Sequence, residues 1–425
     1  MKKTDILYLI LGMLIVYGFL RIFVVKEPFI KDIEPPSEEK AIIIENEEEP
    51  EKNILYITQD QIYDYLENDP AIEVHNEPSI NARSAIVMDF ETGAVLYQKN
   101  AFRKRPMAST TKIMTAIIAL ENCDLNEDVV ISQKAANMGG SSMGIRAGSV
   151  VKMNDLLHGM LICSGNDAAV AIAEHIGGSI EGFSELMNKK ALEIGAFSTS
   201  FSNPHGLDED DHYTTAYDLA KITRYALKIP EFNDIVKKKE FFFEGRTLKS
   251  TNEMLSLYAG ADGVKTGYTG LAGRCLVTSA TRNGMRLISV VLFCDTKNLR
   301  TSSSTKILDY SFAEYDRVNL LDKGTLMGTI KVNRSRTAQE INLTVAEDLT
   351  AVLKHNQKDM LFTRVSIPKQ VTAPVKKGSI MGTVSIYHGD RIIAETSLIA
   401  LDSAEKKELK DYIGDVIIKW IDIMD

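Results

Sequence analysis

Apolar positions follow three different periods along this chain. From Ile6 to Val25 they run almost without a break, Arg21 being the interruption. Twenty residues at about 1.5 Å each span about 30 Å, the thickness of a bilayer's hydrocarbon core. Lys2 and Lys3 precede the run and an acidic stretch follows it. That asymmetry places the N-terminus inside the cell membrane and the rest on its extracytoplasmic face. No small-x-small cleavage site follows Ile6–Leu20, so segment 1–25 is expected to stay as a single-pass anchor rather than leave as a signal peptide. Between Lys31 and Lys52, nine acidic and three basic side chains surround Pro35, Pro36 and Pro50. Such a segment buries too little apolar surface to order itself, so 26–80 reads as a tether, with one short helix expected within Ile54–Leu66.

From Arg83 the periods shorten to 2 and 3.6. Ser84–Phe90 alternates as a strand, Glu91–Ala94 turns, and Val95–Tyr97 supplies a hairpin partner. Ser109–Glu121 is helical, with Ile113, Met114, Ile117 and Leu120 on one face. Further helices are expected over Asn154–Leu161 and Asn166–His175. Ala261–Lys265 and Arg274–Thr281 read as adjacent strands around a Gly-rich turn, and Arg286–Phe293 as a third. Helices flanked by antiparallel strands predict an α/β (α+β) sandwich over 81–313.

After Phe312 short alternating runs separated by Gly turns take over, predicting a small all-β domain over 314–402. Lys323–Ile330 and Lys377–Val384 are near copies set 54 residues apart, which predicts one β-hairpin element used twice. In the last segment, 403–425, Leu409, Ile413, Val416, Ile417, Trp420 and Met424 share a helical face. That helix either packs on the β domain or lies in a membrane interface with Trp420 at headgroup depth.

The net charge is −9, and most of the excess sits in the tether. No basic stripe remains to suggest nucleic acid. Cys123, Cys163, Cys275 and Cys294 form no CxxC pair, so spacing offers no zinc or thioredoxin signature. Small buried side chains are expected, and a Cys163–Cys275 bridge stays open.

Three short motifs carry the chemistry. In the first, Ser109 and Lys112 stand three apart on a helix and share one face. A serine needs a base to become a nucleophile. A lysine serves as that base when burial and a second cation leave its amine partly neutral. In the second, Ser164 and Asn166 flank a glycine just before a helix. A hydroxyl there can pass a proton, and an amide can hold a substrate carbonyl. In the third, Lys265, Thr266 and Gly267 end a strand. A fixed cation there attracts a carboxylate, and glycine admits a close backbone. Each motif alone has a bland reading: a helix start, an N-cap, a strand end.

Together, S-x-x-K, S-x-N and K-T-G in this order resemble penicillin-binding proteins and class A β-lactamases. Ala85–Gly93, Met107–Ala116, Ser164–Ala171, Asn203–Leu207, Thr214–Asp218 and Asp262–Thr269 extend the resemblance to the low-molecular-mass penicillin-binding proteins, the D-alanyl-D-alanine carboxypeptidases of peptidase family S11. The likeness covers about Ala82 to Ala400, and the last helix is similar to the family's membrane foot. It implies that Ser109 attacks the penultimate D-alanine carbonyl of a peptidoglycan stem peptide and that Lys112 deprotonates it. Ser164 then relays a proton to the leaving amine, with Lys265 setting pKa values. Asn166 holds the substrate amide. Backbone N–H groups of Ser109 and Tyr268 form the oxyanion hole, worth about 2.7–4 kcal/mol per donor. Thr266, and by its spacing Arg300, bind the terminal carboxylate. β-Lactams acylate the same serine, both termini meet the membrane surface, and no metal or nucleotide cofactor is implied. The anchor and the acidic tether depart from the family pattern.

A class A β-lactamase would add a Glu-x-x-x-Asn loop that activates the deacylating water. Glu185 and Asn188 are the nearest pair, at the wrong spacing and in a helical stretch. Slow penicillin hydrolysis and a long-lived acyl-enzyme are therefore expected. An idle, tethered wall-binding scaffold is the non-enzymatic alternative.

Overall fold

The pattern that begins at Ser84 builds an inner strand of a sheet buried on both sides. The structure is a computed structural model that describes residues 77–355 and 361–424. Strands β1 (Ser84–Asp89), β2 (Val95–Lys99), β3 (Ala261–Thr269), β4 (Gly273–Arg282) and β5 (Met285–Cys294) line up as β2-β1-β5-β4-β3. Every pairing is antiparallel. Ala85 lies opposite Val291, so the sheet closes only when segments about two hundred positions apart meet.

The pleat sends alternate side chains to two different cores. Ile86 and Met88 join the helical core, whereas Ala85 and Val87 join a second core on the other face. The helical core is built by α1 (Lys112–Asn122), α2 (Met153–Ile162), α3 (Asn166–Gly177), α4 (Ile180–Ile194) and α5 (Ala216–Ala226). The opposite face is covered by α6 (Lys297–Glu314) through Ile307 and Leu308. Asn166 to Ala173 are all buried, and four small alanines let neighbouring helices approach α3 from every side. Ser179, Thr215 and Thr296 cap α4, α5 and α6, each accepting a backbone N–H three residues on.

One helix starts later than its periodicity predicts. Ala108–Thr111, which includes Ser109, is a 3-10 turn, and the α-helix begins at Lys112. The hydroxyls of Thr110 and Thr111 donate back to the carbonyls of Met107 and Ala108, at 2.6 and 2.8 Å. They favour i to i+3 closure over the wider α-turn.

The β domain comprises β6 (Tyr315–Leu321), β7 (Leu326–Asn333), β8 (Glu340–Val345), β9 (Leu349–Lys354), β10 (Leu361–Ser366), β11 (Gln370–Thr372), β12 (Ile380–His388) and β13 (Arg391–Ala400). Six of them form one sheet, β10-β12-β13-β8-β7-β11, and β6 pairs with β9. The two sequence copies open equivalent hairpins, β7–β8 and β12–β13. Gly324 and Gly378 both turn through the left-handed region, at φ of 84° and 81°. Their N–H groups donate to Val345 and Ala400, whose own N–H groups return bonds to Thr325 and Ser379. Each first strand then bulges, before Gly328 and before Gly382. The second strands, β8 and β13, pair with each other at the centre.

The four cysteines are free thiols, so the Cys163–Cys275 bridge does not form. Cys275 and Cys294 are buried as expected, but Cys123 and Cys163 are only half-buried. Among the described residues no helix is long and apolar enough to cross a membrane. The Ile6–Val25 run, the acidic tether and the expected helix within Ile54–Leu66 lie outside the described residues. α7 (Leu409–Met424) forms as its periodicity predicts. Leu409, Ile413, Val416 and Ile417 are each more than half exposed, so they do not pack on the β domain. The side chains of Trp420 and Met424 lie outside the described ones.

Space around Gly324 and Gly378 is open, so alanine there meets only the left-handed backbone cost of about 1–2 kcal/mol. Gly324→Ala and Gly378→Ala are expected to lower stability by equal amounts in urea unfolding. Unequal losses would show that the two turns are not equivalent.

Candidate active site

The first cluster forms around an amine with no exposed surface. Lys112 begins α1 and is fully buried. Its Nζ lies 2.9 Å from Ser109 Oγ, 2.7 Å from Asn166 Oδ1 and 2.7 Å from the His205 carbonyl oxygen. Asn166 opens α3, and its Nδ2 donates to Gly139 O at 2.7 Å, which orients Oδ1 toward the lysine. Burial holds the Lys112 amine well below the usual lysine range, Lys265 adds repulsion, and Asp167 and Cys163 partly oppose both. A neutral amine has two N–H bonds and one lone pair. Asn166 Oδ1 and the His205 carbonyl can only accept, so they take the two N–H bonds. The lone pair is left for the Ser109 hydroxyl.

The second cluster lies on the strand side. Lys265 Nζ donates to Ser164 Oγ at 2.9 Å and to Thr266 O at 3.1 Å. Burial lowers its pKa to about 7; Cys163 opposes this and Arg300 adds to it. Thr266 shares a 2.7 Å hydroxyl contact with Thr251. Ser164 sits in the left-handed region at φ 68°, and Ala108, next to Ser109, at 48°. Two such non-glycine residues beside the reacting groups are the kind of local strain that catalytic turns hold. A Cβ on Gly267 would stand 3.0 Å from Met107 O, Ala108 Cβ and Ser109 N. Glycine at this position is what lets β3 run against the nucleophile turn.

Other residues position these groups. Asp167 is buried and accepts from Ser142 Oγ and from the N–H groups of Met143, Gly144 and Ile145. It folds the loop whose Gly139 and Ser141 carbonyls hold the Asn166 side chain and backbone. His212 contacts Thr111 Oγ1 at 2.7 Å and its Nδ1 accepts from Ser202 N. Burial keeps His212 and His205 neutral, at about 4 and about 3.

Arg300 is neither a surface residue nor in a loop. It lies in the first turn of α6, is buried, and pairs with Glu253 at 2.5 Å. Its Nε has no hydrogen-bond partner. Burial would raise the Glu253 carboxyl, but bonds from Arg300 and Thr301 outweigh it and hold it low. Tyr268 is exposed, and the Arg274 guanidinium stacks over its ring at 3.5 Å. Arg300 lies near enough to Lys265 to repel its charge, and the two together offer positive charge suited to a carboxylate.

The structure joins Ser109, Lys112 and Asn166 directly, and Ser164, Lys265 and Thr266 directly, with Gly267 against the serine turn. Asn166 has a part that was not expected: its amide oxygen holds Lys112, and one of its two amide N–H bonds is fixed on Gly139 O. The His205 carbonyl, Asp167, Thr251 and Glu253 were missed. His205 and Asp167 had a signal, since Asn203–Leu207 and Ser164–Ala171 stood out as motifs, but a backbone carbonyl has no side-chain signature and the carboxylate's part in folding a distant loop has none either.

The family model for D-alanyl-D-alanine carboxypeptidases matches residues 71–296, and that of the penicillin-binding protein 5 C-terminal domain matches 315–406. D-alanyl-D-alanine carboxypeptidase DacF of Bacillus subtilis (strain 168) is 35% identical over 357 residues, covering 81% of this chain and 91% of the relative. Penicillin binding protein 5 from Haemophilus influenzae superposes with a TM-score of 0.71 at 31% identity, covering 78% of this chain and all of that one. The Streptomyces K15 DD-transpeptidase does so at 0.55 and 35% identity, covering 56% of this chain and all of its own. Matching motifs, a matching catalytic domain and a matching second domain agree, and the chain belongs to peptidase family S11, the low-molecular-mass penicillin-binding proteins.

Proposed function

We propose that this chain removes the terminal D-alanine from peptidoglycan stem peptides through an acyl-enzyme on Ser109. The Lys112 amine carries the reading: it lies 2.9 Å from Ser109 Oγ while two pure acceptors hold it, so in its neutral form its lone pair is the one left for the serine proton. Ser109 Oγ attacks the penultimate D-alanine carbonyl while its proton passes to Lys112 Nζ. The tetrahedral oxyanion is held by the N–H groups of Ser109 and Tyr268. As the peptide C–N bond breaks, Ser164, coupled to Lys265, delivers a proton to the leaving D-alanine amine. Thr266, Lys265 and Arg300 receive the terminal carboxylate. Water then cleaves the ester and frees Ser109.

A β-lactam acylates the same serine. Glu185 lies exposed on α4 and is not placed by any Glu-x-x-x-Asn loop to activate water, so the penicilloyl ester persists. The same reading puts the catalytic domain on the extracytoplasmic face of the cell membrane. The apolar Ile6–Val25 run and the exposed stripe of α7 support attachment at both ends.

Ser109→Ala is expected to lower D-alanine release from a diacetyl-Lys-D-Ala-D-Ala peptide by about a thousandfold or more. Undiminished release would remove Ser109 as nucleophile. Lys112→Arg keeps the charge but cannot give up a proton, so penicillin acylation is expected to slow by about 10²–10⁴-fold. Near-normal acylation in that variant would show an electrostatic role instead.

The pH profile follows from the two lysines. Acidification protonates Lys112, so kcat/KM falls on the acid side. Lys265 loses its proton as pH rises through about 7, which weakens carboxylate binding, so kcat/KM falls again on the alkaline side. A profile that stays flat to high pH would contradict the role given to Lys265. In intact cells stripped of their wall, an added protease should degrade the catalytic domain. A protected chain recovered from the cytosol would refute the membrane reading.

A further inference from the structure

Away from Ser109, the two helices that meet at the catalytic amine come together again at their C-terminal ends. α1 begins at Lys112 and is followed by Cys123, and α3 begins at Asn166 and carries His175 in its last turn. Glu127 comes from the loop after α1. A thiol sulfur, a carboxylate oxygen and an imidazole nitrogen from these three residues all lie within 4.8 Å of one another. His175 Nε2 is 2.9 Å from Glu127 Oε1. The Glu127 backbone is fixed on both sides: its N–H donates to Asp124 O at 3.0 Å, and its carbonyl accepts Met153 N at 2.9 Å.

We propose that Cys123, Glu127 and His175 form a three-ligand site for a thiophilic divalent cation of the zinc type, with a fourth position open to water. Chemistry and geometry both favour it. A sulfur, nitrogen and oxygen set suits zinc, whereas calcium and magnesium take oxygen ligands. A tetrahedral ion at about 2.0–2.3 Å from each ligand spaces neighbouring ligand atoms by about 3.3–3.7 Å. Reaching that spacing requires the 2.9 Å Glu127–His175 contact to open and the more distant atoms, within 4.8 Å, to close in. The two helix C-termini add their partial negative charge, which favours a cation. Access is sufficient, since the His175 and Glu127 side chains are 26% and 43% exposed and Cys123 is half-buried.

A free Cys123 thiol carries its proton until the ion arrives. The sulfur–metal bond forms as the S–H bond breaks, and the proton goes to solvent. The bound ion would then clip together the far ends of the two helices whose near ends hold Lys112 against Asn166.

The test uses the full chain and zinc alone, titrated against a chromophoric chelator, with cobalt as spectroscopic stand-in. One zinc per chain is expected, together with a sulfur-to-cobalt charge-transfer band. Cys123→Ser should abolish that band, and Cys123→Ser and His175→Gln should each weaken zinc binding by at least about tenfold. Penicillin labelling of Ser109 reports the fold of each variant. Where Cys123→Ser fails to label, the exposed-site variants His175→Gln and Glu127→Gln decide the matter. Absence of zinc binding, or binding that survives those substitutions because it resides elsewhere on the chain, overturns the site and leaves a hydrogen-bonded trio.

Discussion

A lysine amine sealed from solvent is the constraint on which the catalytic domain depends. Burying a charged ammonium without partners costs several kcal/mol, so the group either finds acceptors or gives up its proton. Lys112 does both. Its acceptors come from two separate places, the start of α3 and the Asn203–Leu207 segment. That environment therefore exists only when these parts of the chain have assembled around α1. Lys265, on the opposite side, supplies the second cation that depresses Lys112 further.

The supporting structure holds these groups in place. The sheet is covered on both faces, so β3 presents Lys265, Thr266 and Gly267 from a rigid edge. The nucleophile turn meets that edge through glycine at 267. Asp167 ties four polar groups of one loop to α3, and that loop in turn fixes the Asn166 amide. Glu253 plays a parallel part for Arg300, sharing its charge so that a buried guanidinium is tolerated.

The β domain is built on a different economy. Two copies of one turn-and-bulge element open two hairpins, and their second strands pair at the centre. Each glycine turn is held by the same two backbone bonds, which involve no side chain. This explains why the copies tolerate differences such as Thr325 against Ser379 and Ile330 against Val384. The exposed apolar stripe of α7 lies at the end of this domain and finds no protein partner among the described residues.

Local periodicity and motif order determined a great deal. The strands of the main sheet, helices α1 to α3, the internal copy and the three motifs from Ser109 to Lys265 were legible, because each is a short pattern with its own chemistry, whereas α5 and α6 went unpredicted. The 3-10 start at Ser109 was not, since it depends on the way two threonine hydroxyls turn back on their own backbone. Nor was the engagement of Asn166, the pairing of Arg300 with Glu253, or the backbone carbonyl of His205. These depend on contacts between residues 47 to 93 positions apart, and no spacing rule encodes them. The same holds for Cys123, Glu127 and His175: with no CxxC between them, only the packing of two helix ends brings the three side chains to one point. Sequence alone settles which groups can react, because reactivity belongs to residue types. Tertiary structure decides their protonation and aim, because both are set by what the folded chain buries beside them.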